Sequence, residues 1–264
     1  MKAIYYLVLV IALTWPALGP AGILEGEEPD NHWYQSRLKW AMDSVCVVEL
    51  FDRQGNIIST GSGVIVDDRG IVLTAAHIVD FPYFSMRVTI RADKGKFYYG
   101  DVIDTFGLAM VPDHGDITAL LLAADVPILH QLRVPEKPEV NYAERVYAVG
   151  HPNLRTWSIV DGIISGFRYL PYKDSNCRII QLSAPISFGS SGGAIISFRP
   201  DPIYPTNFPE NKTACLVGMP IAFEPATPSI TYAIHPADIA AVLDHARGYW
   251  SKQLKARYSF IYDG

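Results

Sequence analysis

The chain has 264 residues, of which 49% are hydrophobic, 12% aromatic and 19% charged, and its formal net charge is −5 at pH 7. This composition is typical of a globular protein and excludes a disordered or fibrous chain. A chain of this length buries enough apolar surface to fold without a metal or disulfide framework. The weakly acidic balance, with no basic cluster, argues against nucleic acid as a partner.

The N-terminal segment 1–22 has the pattern of a signal peptide. Residues Ala3–Leu24 contain no charged side chain, and Ile4–Leu13 is an unbroken apolar run followed by small residues at which a signal peptidase could cut. The stretch is also long enough to span a bilayer, so a membrane anchor stays open as the alternative. Either form places the folded part outside the cytoplasm, in the periplasm or secreted.

After this segment the sequence predicts one short helix and then a series of strands. Trp33–Ser44 has helical spacing of its apolar residues, and only His235–Ala246 has it again, before a solvated tail over 247–264. Between them, short apolar runs broken by Gly, Asp and Pro indicate an all-β sandwich or barrel. A break near Pro135–Val140 divides the runs into two groups, and Arg199–Thr213 is a proline-rich loop. The predicted strands are Val45–Phe51, Ile57–Val66, Ile71–Thr74, Arg87–Ala92, Phe97–Val102, Ile117–Leu122, Arg145–Val149, Ser158–Phe167, Arg178–Ala184, Ala194–Phe198, Cys215–Phe223 and Thr231–Ile234.

Three short segments contain the side chains needed for nucleophilic catalysis by a serine. A serine hydroxyl becomes a good nucleophile when an imidazole takes its proton, and the imidazole needs a buried carboxylate to fix its tautomer. Glycines beside the serine let the backbone turn tightly and direct N–H groups at a developing oxyanion. The segments occur in the order His, Asp, Ser, as Leu73–His77, Gly115–Leu121 and Phe188–Ala194. Each is weak alone, whereas the three together in an all-β chain are specific.

This pattern resembles the chymotrypsin-fold serine proteases and, among them, the exported Deg/HtrA type. The resemblance extends from about Val45 to Ala246 and includes the strand pair before the histidine, the opening hairpin of a second barrel and the approach to the nucleophile. The matching runs are Gly61–Val66 with Val72–His77, Val149–Pro152 with Val160–Ser165, and Gln181–Ile186.

The resemblance implies two antiparallel six-stranded β-barrels with the active site between them and short helices near both ends. It places barrel one at 45–135 and barrel two at 140–235, followed by the C-terminal helix. The N-terminal segment 23–44 would carry the other helix. The implied partner is a polypeptide substrate, and relatives of this type often form homo-oligomers.

The resemblance also implies a role for each candidate residue. His77 is expected to be the general base, Asp116 the carboxylate that orients it, and Ser191 the nucleophile. The backbone N–H groups of Gly189 and Ser191 are expected to form the oxyanion hole. Water releases the acyl group in this chemistry, so no cofactor and no metal are expected.

Two features depart from the patterns of related enzymes. The residue before the nucleophile is Ser190 where digestive-type enzymes have an aspartate, so a cut terminus at Ile23 is not expected to insert, because its ammonium would be buried without a partner. The chain also ends at Gly264, which leaves no room for the PDZ domain that many Deg/HtrA proteases carry. The expectation is a single protease domain over 45–246.

The superfamily's layout places the primary substrate pocket along the run before Ser191 and at the end of a later strand. None of these positions is acidic, so a buried lysine or arginine of a substrate would lack a partner there. We therefore expect cleavage after small or medium apolar residues. The predicted pocket residues are Pro185, Ile186, Ser187, Ile221, Ala222 and Phe223.

Several other residues have simpler interpretations. His114 is expected on a surface loop, His151 is expected to be structural, and the remaining histidines lack metal-ligand spacing. Cys177 and Cys215 begin predicted strands, and a disulfide between them stays open for an exported chain. A catalytically silent relative that binds peptides or a partner in the same cleft stays open as the alternative function.

Overall fold

The computed structural model describes residues 32–91, 96–106, 114–123, 125–128, 130–152, 157–172, 175–200, 212–224 and 230–252. The predicted signal peptide, the centre of the Arg199–Thr213 loop and most of the tail lie outside these residues. None of the helices in the described ranges has the length and apolar character that crossing a bilayer requires.

The described part of the chain contains three helices and twelve strands. The helices are α1 (His32–Asp43), α2 (Ala76–Val79) and α3 (Pro236–Tyr249). The strands are β1 (Val45–Phe51), β2 (Ile57–Ile65), β3 (Ile71–Thr74), β4 (Ser85–Arg91), β5 (Phe97–Phe106), β6 (Thr118–Leu122), β7 (Arg145–Gly150), β8 (Ser158–Tyr172), β9 (Ser175–Leu182), β10 (Ala194–Pro200), β11 (Lys212–Phe223) and β12 (Thr231–Ile234).

The strands close into two six-stranded barrels. The strand order is β1-β2-β3-β6-β5-β4 in the first barrel and β10-β11-β12-β9-β8-β7 in the second. Neighbouring strands are antiparallel, as in the β1–β2 and β7–β8 pairs. The predicted all-β fold with two barrels is therefore confirmed, and the predicted break near Pro135–Val140 falls in the connection between β6 and β7.

Alternation along β1 shows how the first barrel is filled. Cys46, Val48 and Leu50 point into the barrel and pack with buried residues of β3, β4 and β6, whereas Val45 belongs to a different cluster. The second barrel has an interior cluster of its own. A third cluster combines the outer faces of both barrels with the apolar sides of α1 and α3, and so joins the two barrels.

The structure corrects the predicted elements in a few places. The fifth and eighth strands continue past their predicted ends at Val102 and Phe167, because antiparallel pairing with β6 and β9 supports them further. Helix α2 was not predicted, since a single turn is too short to show helical periodicity. Cys177 and Cys215 are buried thiols in different apolar clusters, with no disulfide between them.

Candidate active site

The histidine segment lies on the short helix α2, directly after β3. Ala76 and Ile78 are buried and fix this helical turn against the first barrel. The His77 side chain between them is 43% exposed and faces the cleft between the barrels. The alternation of buried and exposed residues in this one turn therefore presents the imidazole while anchoring its backbone.

Asp116 lies two residues before the start of β6 and is paired with His77 in two ways. Its carboxylate accepts a hydrogen bond from the His77 backbone N–H at 2.8 Å, and its second oxygen lies 2.5 Å from His77 Nδ1. Asp116 is only 4% exposed. A buried carboxylate acceptor at Nδ1 favours the tautomer with the proton on Nδ1, which leaves Nε2 as a proton acceptor for the cleft.

Gly115 places this aspartate by adopting a conformation that other residues avoid. Its φ is +83°, and a Cβ built on it would lie 2.3 Å from Cys177 Sγ. Glycine is therefore required twice, for the left-handed backbone and for the close approach to β9.

Ser191 lies in a tight glycine-rich turn just before β10. Gly189 and Gly192 have φ values of +90° and +80°. Within the turn, Ser190 N–H donates to Ser187 O at 3.1 Å, and Gly193 N–H donates to Ser190 O at 3.0 Å. The positive φ values thus produce the tight turn that the sequence pattern predicts.

The turn is also held from the first barrel. The backbone N–H of Ser62 in β2 donates to Ser191 O at 2.8 Å. A Cβ built on Gly192 would lie 2.2 Å from Ser62 O and 2.5 Å from Thr74 Oγ1. Only glycine allows the second barrel to approach β2 and β3 this closely.

His77 and Ser191 line the same cleft, of about 530 Å³, between the two barrels. The first barrel contributes Ser59, Thr60, Ile78 and Phe81 to this cleft, and the second contributes Phe188 and Gly189. The Ser191 hydroxyl faces the carbonyl of Ile221 at 3.4 Å, and among the described residues it makes no hydrogen bond with the imidazole. Catalytic hydrogen bonds are often long without substrate, so this geometry still allows proton transfer in a complex.

The backbone N–H groups of Gly189 and Ser191 are the predicted oxyanion donors. Within the described ranges, neither N–H donates a hydrogen bond to a protein acceptor. Gly189 also lines the cleft together with Ser191. Both donors are therefore available to an oxygen that enters the cleft.

Three of the predicted pocket residues lie together and three lie elsewhere. Pro185, Ile186 and Ser187 line an apolar cavity of about 280 Å³ with Ser190 and Pro220. Ile221, Ala222 and Phe223 do not line this cavity. Ile221 packs between two apolar clusters, Ala222 is exposed, and the Phe223 ring meets the Phe188 ring edge-on at 5.3 Å, beside the cleft.

Two histidines near the candidate site have other environments. His114, expected on an exposed loop, is largely buried, with Nδ1 2.9 Å from Asp238 in α3. The His151 ring is buried edge-on against Trp157, and burial lowers its pKa below the usual value for histidine. No cluster of metal-ligating side chains occurs within the described ranges.

One serine connects both barrels at this site and is not marked as a site residue by the sequence. Ser62 Oγ donates to Gly189 O at 2.7 Å and accepts from His151 N–H at 2.9 Å. Its partners are more than 80 positions away in the sequence, so no local spacing could reveal the contact. Pro220, which lines the apolar cavity, lies one residue before the predicted stretch.

Two closed barrels with a histidine and a serine lining the cleft between them, and a buried aspartate paired with that histidine, are typical of one class of hydrolytic enzymes. Residues 61–199 match the trypsin-like peptidase domain, so more than half of the sequence is covered. The chain belongs to the trypsin-like peptidase family.

The curated relatives are HtrA and DegP proteins. The chain is 25% identical over 189 residues to the mitochondrial serine protease HTRA2 of Drosophila ananassae, covering 67% of this chain and 42% of that protein. It is 26% identical over 163 residues to a DegP-like periplasmic serine endoprotease of Buchnera aphidicola, covering 61% of this chain and 33% of that protein. The chain thus spans less than half the length of these relatives.

Solved structures show the same fold. The serine endoprotease from Yersinia pestis superposes with a TM-score of 0.57 at 22% identity, covering 80% of this chain and 65% of that one. The active form of the Rv3671c protease from M. tuberculosis superposes with a TM-score of 0.60 at 15% identity, covering 81% of this chain and 86% of that one. The two-barrel architecture is therefore shared with these two proteases.

Proposed function

We propose that this chain is an exported serine endopeptidase that hydrolyses peptide bonds through His77, Asp116 and Ser191. The observation that carries the proposal is the pairing of a buried Asp116 carboxylate with His77 Nδ1 at 2.5 Å, in a cleft that Ser191 also lines. This pairing leaves the other ring nitrogen for the serine proton.

The steps follow from these positions. Ser191 Oγ attacks the scissile carbonyl carbon while His77 Nε2 takes its proton, and the protonated imidazole is stabilised by Asp116. The carbonyl oxygen becomes negative and is bound by the N–H groups of Gly189 and Ser191, which have no protein acceptor within the described ranges. The imidazolium protonates the leaving amine. Water then attacks the acyl carbon while His77 Nε2 takes a proton from it, and this proton passes to Ser191 Oγ as the acid product leaves. Each step uses only protein groups and water, so the chemistry needs no cofactor.

The apolar cavity supports a preference for small or medium apolar residues before the scissile bond. Its lining contains Pro185, Ile186 and Pro220, with serine hydroxyls as its polar side chains. A substrate lysine or arginine would lose its hydration there without gaining a carboxylate partner. Valine, alanine and similar side chains would bury their surface without such a cost.

Export is supported by the sequence pattern of 1–22 and by the similarity to a protein named as periplasmic. The proposed substrate is polypeptide, as the names of the serine protease relatives indicate. The proposal leaves two alternatives open. Segment 1–22 is either cleaved or attaches the protein to a membrane, and the protein is either a monomer or a homo-oligomer.

One observation favours a second candidate function, a catalytically silent module that binds peptides or a partner in the cleft. The Ser191 hydroxyl faces Ile221 O at 3.4 Å rather than the imidazole. A serine held there without proton transfer to His77 would stay a poor nucleophile. The two candidates differ in one observable property, which is turnover.

Hydrolysis of unfolded casein tests the proposal. We expect the wild-type protein to cleave casein, and Ser191→Ala to lose that cleavage by about 10⁶-fold in kcat. Mass spectrometry of the products should show alanine, valine or similar residues before the cut bonds.

Ser44→Ala is the matched control, because Ser44 is fully buried and its hydroxyl donates to Trp40 O away from the cleft. It should cleave casein at the wild-type rate. A folded wild-type protein without turnover would favour the silent module, and cleavage by folded Ser191→Ala would remove Ser191 from the mechanism.

A further inference from the structure

We propose that Ser62 is a positioning residue whose hydroxyl holds the oxyanion-binding turn in its competent conformation from the opposite barrel. The inference rests on the proposed function and adds a residue that the motif His, Asp, Ser does not contain. Ser62 lies in β2 of the first barrel and is fully buried. Within the described part of the chain, its side chain bonds only to backbone groups of the second barrel.

The hydrogen of this hydroxyl has one direction available. Ser62 Oγ lies 2.9 Å from His151 N, and a backbone N–H can only donate, so the hydroxyl oxygen accepts this bond. The hydroxyl hydrogen is then free for Gly189 O, which lies 2.7 Å away and can only accept. The backbone of His151 thereby directs the Ser62 hydroxyl at Gly189.

The peptide between Gly189 and Ser190 is consequently held at both ends. Its carbonyl oxygen accepts from Ser62 Oγ, and its N–H donates to Ser187 O at 3.1 Å. This peptide plane stands between the two proposed oxyanion donors, the N–H groups of Gly189 and Ser191. Because a peptide unit is planar, fixing this unit constrains the directions of the groups on both sides of it.

A fixed peptide matters here because the backbone could otherwise rotate. Gly189 has a φ of +90°, and glycine occupies positive and negative φ with similar ease. The turn alone therefore does not select the orientation in which both N–H groups serve one oxyanion. The hydroxyl of Ser62 selects this orientation by holding Gly189 O. The Ser62 N–H adds a second hydrogen bond, to Ser191 O at 2.8 Å.

The kinetic test compares Ser62→Ala with Ser44→Ala. Both variants remove a fully buried hydroxyl that donates to a backbone carbonyl, but only Ser62 contacts the turn. We expect Ser62→Ala to lower kcat for a peptide substrate by about tenfold to a hundredfold, somewhat less than the loss of an oxyanion donor itself. KM should change by less than about threefold, because ground-state binding does not use the oxyanion hole.

Circular dichroism establishes that both variants are folded. Unchanged kcat in folded Ser62→Ala overturns the proposal, as does a rise in KM without a fall in kcat. An equal loss of kcat in Ser44→Ala also overturns it, since the effect would then come from general loss of stability.

A second measurement needs no enzymatic activity. Hydrogen exchange of the Ser190 amide reports on the same peptide, because this N–H is bonded to Ser187 O. We expect about tenfold faster exchange in Ser62→Ala and wild-type exchange in Ser44→Ala. Unchanged exchange in Ser62→Ala overturns the positioning role. If the wild-type protein has no turnover, the proposed function fails while this comparison still decides the role of Ser62.

Discussion

The two halves of the candidate site are built differently. His77 and Asp116 both belong to the first barrel and are joined directly. The His77 backbone N–H donates to the Asp116 carboxylate at 2.8 Å, and the other carboxylate oxygen lies 2.5 Å from His77 Nδ1. The turn with Ser191 belongs to the second barrel, contains glycines with positive φ, and is held partly by bonds within its own barrel and partly by two bonds from Ser62 of the first barrel. The bonds that join His77 to Asp116 lie within the first barrel, although Gly115 beside Asp116 also approaches Cys177 of the second, whereas the turn with Ser191 takes part of its hydrogen bonding from the opposite barrel.

This difference separates two properties of the enzyme. The proton-transfer pair is held by the burial of Asp116 and by the short helix α2, so the hydrogen bonds that define it lie within one barrel. The geometry of the nucleophile and the oxyanion donors follows from contacts between barrels. Substitutions in the first half should change chemistry with little effect on the turn, and substitutions at the contact should change the turn itself.

The largest effect outside the nucleophile is expected from Asp116→Asn. The amide side chain would favour the wrong imidazole tautomer, so kcat should fall by about 10⁴-fold in steady-state hydrolysis of a peptide substrate. Asp67→Asn is the control, because Asp67 is equally buried but pairs with Arg69 and Arg247. It should lower stability and leave kcat within a factor of about two. If Asp116→Asn and Asp67→Asn lost kcat equally, the loss would not come from the pairing of Asp116 with His77.

Gly192→Ala should distort the turn that contains Ser191. The new Cβ would overlap Ser62 O, a backbone atom that cannot move alone, and φ is +80°. We expect the free energy of unfolding to fall by about 1–3 kcal/mol and kcat to fall by about tenfold. Urea unfolding and peptide hydrolysis measure the two effects.

Gly55→Ala is the matched control variant for Gly192→Ala. Gly55 has a φ of +81°, yet a Cβ there would meet no atom within 4 Å. It should lose stability through backbone strain and keep wild-type kcat. Wild-type activity in Gly192→Ala would contradict the contact between barrels that the account requires.

The smallest effect is expected from pH. Burial lowers the pKa of His151 relative to its value in the unfolded chain, so the unfolded state binds more protons as the pH falls. The free energy of unfolding should therefore decrease between about pH 7 and pH 5, measured by urea unfolding. His151→Gln should reduce this slope without abolishing it, because burial also lowers the pKa of His235.

Much of the fold was predictable because alternation and turn residues are local. The strands Val45–Phe51, Ile71–Thr74 and Thr231–Ile234 have their predicted bounds. The C-terminal helix was also predicted, and Pro236 begins it after the His235 cap. The extensions of β5 and β8 depend on their partner strands, which a single sequence does not display.

The candidate site was predictable where a residue is marked by its neighbours. His77, Asp116 and Ser191 lie in short recognisable segments. The structure brings Asp116 into contact with His77, and His77 and Ser191 line the same cleft. Ser62 is an ordinary strand serine in the sequence. Its importance comes from contacts that exist only when the barrels pack, so local patterns could not indicate it.

Labelling with a fluorophosphonate shows whether Ser191 is an activated nucleophile, since this probe reacts with a serine that has both an activating base and an oxyanion site. Intact-mass measurement should show one adduct on the wild-type protein and none on folded Ser191→Ala. No adduct on folded wild-type protein, or an adduct that persists in Ser191→Ala, would contradict an activated nucleophile at Ser191.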